Sequence, residues 1–197
     1  MESRNDKMKI KDQIKRILYD TDRDVARLVN HLEYETDFFE APASTKHHLA
    51  RVGGLAEHSL SVYQTMVKLN DTFELGIPSH HIAITGLLHD LCKTNYYIEW
   101  QTQEVTSFGG VNYSIGWKVN DQLPLGHGEK SLYLVSKYLT LSNAEAAAIR
   151  WHMGCWTPGV TTDRGLSQSF NAAAKEYPLV TLLITADCLS SRLLEED

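Results

Sequence analysis

Apolar residues recur at helical spacing over most of this chain. Between Asp6 and Glu33, Ile10, Ile14, Ile17 and Leu18 form one stripe, and Val25, Leu28, Val29 and Leu32 form the next. One or two amphipathic helices are expected there, with Asp20-Thr21-Asp22 as the break or cap between them. Residues 36–47 carry no period and read as a loop. Gly53-Gly54, a pair suited to close helix packing, precedes a helix to about Asn70 with Leu55, Leu60, Val62, Met66 and Leu69 as core candidates. Pro78 suits the start of a helix that runs through Ile82, Ile84, Leu87, Leu88 and Leu91 to about Lys93. Residues 127–139 form another, and Ser142 with Glu145 matches a capping box at the head of the next. A loop from Gly154 to Gly165, a helix from about Ser167 to Lys175 and an apolar helix opening at Pro178 complete the pattern.

One stretch departs from the helical period. Between Asn95 and Asn120, the aromatic and β-branched residues Tyr97, Trp100, Val105, Phe108, Val111, Tyr113, Ile115, Trp117 and Val119 flank Gly109-Gly110. That predicts a β-hairpin with a glycine turn. The expected class is therefore all-α, a helical bundle with a small β-hairpin insertion at about 95–120. Its single domain would comprise N-terminal helices over 1–43 and a core over 44–192.

The chain's 197 residues suffice for one well-buried core, and 43 % hydrophobic with 22 % charged residues excludes a disordered class. A formal net charge of −6 disfavours duplex DNA or long RNA as a partner. A small phosphorylated substrate is not excluded, since bound metal ions invert the local sign of charge. Cys92, Cys155 and Cys188 include no C-x-x-C pair, so neither a disulfide framework nor a zinc ribbon is expected and a reducing cytoplasm fits. The polar N-terminal stretch is no signal peptide, and no run of about 18 apolar residues suggests a membrane span. The acidic tail Glu195-Glu196-Asp197 reads as solvated.

The histidines change this plain picture. His89-Asp90 closes a strongly apolar helix; neighbours on a helix diverge by about 100°, so both reach one centre only at a helix edge. Taken alone, the pair reads as a partly buried histidine beside a solvated aspartate. His58, however, lies mid-helix between Leu55 and Leu60 and faces inward. Asp187 lies in an apolar run, where a carboxylate is costly to bury unless paired or metal-bound. Three helices thus each offer a buried ligand.

His127, between Gly126 and Gly128, and His152, at a helix end, are candidates for a second metal with Asp90 bridging. The glycines would let a bound group approach the backbone. Ordinary alternatives are an N-cap region for His127 and a dipole-stabilised helix end for His152. Lys93 is placed to bind a phosphate oxygen or support a leaving group, or is a solvated helix-end lysine. His48 and Arg51, just before the first ligand helix, are candidates for substrate phosphate. His47, His80, His81 and His31 are assigned to loop, helix-start and surface roles. The hairpin leaves after Lys93 and returns before His127, so it should border the site. Its Tyr96, Tyr97, Trp100 and Tyr113 are candidates to stack on a base, whereas Trp117 suits packing against the helices.

The order His58…His89-Asp90…His127…His152…Asp187 resembles the HD superfamily of metal-dependent phosphohydrolases, in its two-metal form H…HD…H…H…D. The segments KHHLARVGGLAEHS and HDLCK are similar to the HD domain of bacterial 3′-to-5′ exoribonucleases and of relaxase-associated HD proteins, over residues 44–192. The HD-GYP signature and an upstream OB-fold are absent, so specificity for cyclic dinucleotides or RNA does not carry over.

The resemblance implies one or two divalent ions, from among Mn, Fe, Mg, Ni, Co and Zn, held by His58, His89, Asp90, His127, His152 and Asp187. It implies Asp90 and Lys93 as catalytic residues, and His48, Arg51 and Lys93 as substrate contacts. A metal-activated water would attack phosphorus in a nucleotide or short oligonucleotide. Other readings are a one-metal, 5′-nucleotidase-like phosphomonoesterase using His58, His89, Asp90 and Asp187, and a non-catalytic module that senses nucleotides. A plain helical scaffold would have to account for buried His58 and Asp187 without a metal.

Overall fold

The computed structural model describes residues 4–105 and 110–195, with side chains at 9–101 and 115–195. The chain forms α1 (Arg4–Tyr19) and α2 (Ala26–Tyr34), then α3 (Gly54–Thr72) and α4 (Ser79–Leu88). A 3-10 turn over Leu91–Lys93 leads into strands β1 (Tyr97–Val105) and β2 (Val111–Val119). There follow α5 (His127–Ser136), α6 (Asn143–Trp151), a 3-10 turn at Gly154–Trp156, α7 (Arg164–Glu176) and α8 (Pro178–Leu189). A π-helical turn over Ser190–Leu194 continues α8. The molecule is thus mostly helical with one small antiparallel sheet, as the hydrophobic pattern predicts.

The apolar stripes act as expected: Ile14, Leu18, Val25, Leu28, Val29 and Leu32 are buried. Asp22 makes the break between α1 and α2 at φ 55, a left-handed conformation that a short polar side chain tolerates. The box at Ser142 forms in both directions: Glu145 N–H donates to Ser142 Oγ at 3.3 Å, and Ser142 N–H to Glu145 Oε2 at 2.7 Å. α7 begins three residues earlier than its apolar period suggests, because Asp163 Oδ1 accepts from Leu166 N–H at 2.7 Å and caps it. The hairpin pairs Tyr97 with Val119 through to Val105 with Val111. Gly109 of its expected turn, and the side chains of Val105, Phe108, Val111 and Tyr113, lie outside the described residues.

Two expectations need correction. The helix opening at Pro78 ends at Leu88, not near Lys93. His89 still donates its N–H to Thr85 O at 3.0 Å, but Asp90, at φ −103 and ψ 21, leaves the helix. That departure removes the divergence imposed on neighbours within a helix. Second, Gly53-Gly54 serves a loop rather than a helix pair. Gly53 sits at φ 88, and a Cβ on Gly54 would lie 2.1 Å from Leu49 O. Residues 38–49 are consequently folded onto the head of α3, with Phe38, Phe39, Ala41, Ala43 and Leu49 buried.

Helix pairs close on other glycines. A Cβ on Gly86 of α4 would lie 2.9 Å from Tyr63 Cα of α3, and one on Gly128 of α5 would lie 2.1 Å from Arg150 O of α6. Gly128→Ala should therefore force α5 away from the end of α6 and destabilise the fold by about 1–3 kcal/mol, read as a lowered midpoint in urea.

The buried residues form two clusters. One gathers α1, α2 and the 38–41 loop with Leu55, Leu60, Ile84, Leu87, Leu88 and Ile149. The other gathers α8 with Val62, Met66, Ile82, Ala148 and Trp151, and partly buried residues of α7 pack against it. α3, α4 and α6 feed both clusters, so they are fixed from two sides, and these are the helices that carry or end at His58, His89 and His152. No single described helix is long and apolar enough to cross a membrane.

Candidate metal centre

Asp90 is the hub. Its side chain is 4 % exposed, and its two oxygens face different partners. Oδ2 lies 3.5 Å from His58 Nε2 and 3.6 Å from His89 Nε2. Oδ1 lies 2.7 Å from His127 Nε2 and 3.4 Å from His152 Nε2. Asp187 Oδ1 closes the first side, 3.4 Å from His58 Nε2. Two compact groups result, His58, His89 and Asp187 on one side and Asp90, His127 and His152 on the other, and His48, His58 and Glu195 form a third on the outer side of His58; in each the ligand atoms lie within 4.8 Å of one another.

The backbone aims these rings. His89 Nδ1 donates to Gly86 O at 3.0 Å, and His152 Nδ1 donates to Ile149 O at 2.7 Å. Each bond joins a residue to the carbonyl three before it at a helix end, where such carbonyls lack helical partners. Nε2 of each ring is turned inward. Both Nε2 atoms are fully buried with no hydrogen-bond partner. A buried polar atom left so costs about 1–3 kcal/mol. Their separations from Asp90 exceed a hydrogen bond, but they suit two ligands of one ion with bonds of about 2.0–2.2 Å. Imidazole and carboxylate donors without thiolate fit a divalent ion of the harder or borderline kind. The residues present therefore fit a metal.

The glycines beside His127 have a different use from the one expected. Gly128 admits the Arg150 carbonyl, and a Cβ on Gly126 would meet the Glu129 carboxylate at 2.2 Å. Gly128 thereby lets α5 close against the end of α6, with the rings of His127 and His152 centred 5.2 Å apart.

Charge in this centre is tightly organised. Burial raises the Asp90 pKa, but the Lys93 charge foremost, then His89, the hydrogen bond with His127 and the nearby His152 ring, hold it well below the carboxylate range. Lys93 Nζ lies 2.7 Å from Asp90 Oδ2 with its side chain 12 % exposed. Burial disfavours its charge, yet the Asp90 carboxylate outweighs this and raises its pKa. Lys93 is thus a buried paired cation, not a solvated helix-end lysine. Burial pushes His89 down to about 4, leaving it neutral. His58 feels the same burial, but hydrogen bonds with Asp187 and Glu195 lift it from 6.5 to about 9.

That last shift has a measurable consequence. A metal on Nε2 must displace the His58 proton, so at pH 7 binding should release at least one proton and tighten as pH rises toward about 9. Calorimetric titrations in buffers of different ionisation enthalpy check it. The sign for metal-free stability is opposite. Protonated His58 stabilises the fold in full below its unfolded value of 6.5, and this is lost as pH rises through about 9.

The other sequence candidates fall around the centre. His48 lies behind His58, ring centres 5.0 Å apart, with its Nε2 buried and without a hydrogen-bond partner. Arg51 is turned to Glu57, 2.7 Å away. The hairpin is tied to this segment, because Trp117 Nε1–H donates to Ala50 O at 3.2 Å. At the same stem end of the hairpin, Lys130 Nζ stands 4.6 Å over the Tyr96 ring. Tyr97 is pushed up to about 12, by burial first and with Lys93 and Asp90 as charged neighbours, so it flanks the centre. Trp100 is half exposed on the other face, beneath Lys118. His81 lies 3.1 Å from Glu145 Oε1, and His31 stacks on Tyr138.

Three residues around the centre had no assigned role. Buried Cys92, its thiol pushed up to about 12 by burial, lies 3.4 Å from His127 Nδ1. Its N–H donates to buried Ser131 Oγ at 3.1 Å, which locks the 3-10 turn onto α5. Glu195 is a correction. It is not part of a solvated tail: its side chain is 3 % exposed, and its Oε1 accepts from His58 Nδ1 at 2.8 Å. Glu196 and Asp197 lie outside the described residues.

No protein-family model matches this chain, and neither a search of curated proteins nor one of solved structures finds a match.

Proposed function

We propose that this chain is a divalent-metal-dependent phosphohydrolase of the HD type, acting on a phosphate ester or diester of a nucleotide or short oligonucleotide. The observation that carries the reading is the divided role of Asp90, with each carboxylate oxygen set against its own pair of imidazoles. A carboxylate shared between the His58, His89 and Asp187 group and the His127 and His152 pair needs that arrangement. Divalent ions held there would polarise a phosphoryl oxygen and acidify a water. Lys93 keeps its proton and can neutralise charge on a phosphate oxygen or on the departing oxygen. Tyr97 and the hairpin stem stand beside Lys93, where an aromatic ring can bound the organic part of the substrate. Formal charges agree: Asp90, Asp187, Glu195 and Lys93 sum to −2, so two divalent ions would leave the pocket positive within a chain of net charge −6.

The test is a hydrolysis panel with Mn, Mg, Ni, Co and Fe supplied in turn. Substrates should span nucleoside mono- and triphosphates, cyclic dinucleotides and short RNA. Metal-dependent release of phosphate, or cleavage of a diester, is expected for at least one class. A metal-replete protein that binds nucleotide without turning over any phosphate ester would overturn the enzyme reading in favour of a nucleotide sensor.

A further inference from the structure

We infer that Glu195 is a positioning residue for the metal centre, holding the His58 ring by its outer nitrogen so that Nε2 faces the ligand cluster. The inference rests on the metal-binding reading above and extends it to a residue after α8. Both Glu195 oxygens approach His58 Nδ1, at 2.8 and 3.1 Å, while Nε2 on the opposite edge faces Asp90 and Asp187. His89 and His152 take the corresponding support from carbonyls of their own helix ends. His58 cannot, because it sits inside α3, where the preceding carbonyls are already bonded within the helix. A carboxylate from elsewhere in the chain fills that role, the arrangement by which a ligating imidazole gains orientation and basicity.

The local fold supports this placement independently. The π turn Ser190–Leu194 is closed by Glu195 N–H donating to Ser190 O at 3.1 Å. Ser190 is itself buried, its Oγ 3.3 Å from Thr65 Oγ1 on α3. Such wide turns are rare and gather at functional sites. This one leaves Leu193 and Leu194 at 75 % and 58 % exposure while the Glu195 side chain is at 3 %. Hydrophobic burial alone would favour the reverse. His48 Nε2, 4.0 Å from Glu195 Oε2, stands on the outer side of the same carboxylate.

The experiment compares the full chain with Glu195→Ala and Glu195→Gln, titrating metal-free protein with Co and reading both affinity and the visible spectrum. Glu195→Ala is expected to bind about 10–100-fold more weakly and to show an altered spectrum, with stoichiometry at saturation unchanged. Glu195→Gln, whose amide oxygen still accepts from Nδ1, should recover part of the affinity. Circular dichroism checks that both variants fold. If Glu195→Ala matches the wild type in affinity and spectrum, the positioning role is wrong and the metal reading stands. If it loses an equivalent of metal at saturation, Glu195 is a ligand instead. If the wild type takes up no metal, the proposed function fails as well.

Discussion

Asp90→Ala is expected to strip metal from both halves of the centre and abolish turnover. Asp90 is the residue whose oxygens face four imidazoles, so no remaining carboxylate can replace it. Asp187 belongs to the first group only, with His58 and His89. The loss should exceed the roughly 10–100-fold that removal of a supporting partner costs a metal site. Stability should fall too. Lys93 would keep a buried charge without the carboxylate now 2.7 Å away, and breaking such a pair costs about 3–5 kcal/mol. Asp90→Ala with Lys93→Met should regain part of that stability while remaining free of metal, which separates the two effects. Metal content by mass spectrometry, beside urea denaturation, checks both. Full occupancy in Asp90→Ala would remove Asp90 from the ligand set.

Much of this architecture is legible in the sequence because burial and local bonding agree there. The stripes of α1 and α2, the Ser142 box and Pro178 at the head of α8 are set by residues within a turn of one another. The end of α4 is not legible in that way. Leu91 continues the apolar period, yet the chain tightens after His89 into a 3-10 turn pinned by Ser131, thirty-nine residues away. A periodic pattern records which residues are buried, not whether the backbone between them stays α-helical. The two glycine pairs show the same limit. Spacing marks them as places of close approach, but what approaches is the Leu49 carbonyl in one case and the Arg150 carbonyl in the other.

The clustering of buried His and Asp side chains is legible for a related reason. His58 and Asp187 are polar residues inside apolar runs, and such residues need a partner whatever the fold. Lys93 and Glu195 were harder. A lysine at a helix end and a glutamate in an acidic tail are ordinary solvated groups by sequence, and nothing within a turn of either signals burial. Lys93 is covered by its near neighbours Asp90 and Tyr97 once the chain leaves the helix, a turn that the helical period does not show, and Glu195 is returned onto α3 by the π turn. Arg51 shows the converse. Its place before α3 suggests a phosphate contact, and in the structure its guanidinium is paired with Glu57.

Removing either histidine of the second group should cost one equivalent of metal and most turnover while the first metal survives. The two variants should differ in stability. His152 is fully buried, so His152→Ala leaves a cavity lined by groups that cannot reach water, costing about 2–5 kcal/mol. His127 is about a third exposed on its side chain, and His127→Ala should cost far less. His127→Ala is therefore the cleaner test of metal count. Exposure also predicts an order of filling. The first group draws on His58 and His89, both buried, and on Asp187 at 18 % side-chain exposure. The second opens to solvent through His127, so its ion should bind later and exchange faster. Titration of metal-free wild-type protein should show two steps, and His127→Ala should retain only the tighter. If His127→Ala keeps both equivalents but loses affinity for inorganic phosphate, His127 is a substrate ligand. Its 2.7 Å bond to Asp90 would then be the resting contact of a group that phosphate displaces, and a one-metal phosphomonoesterase becomes the better description.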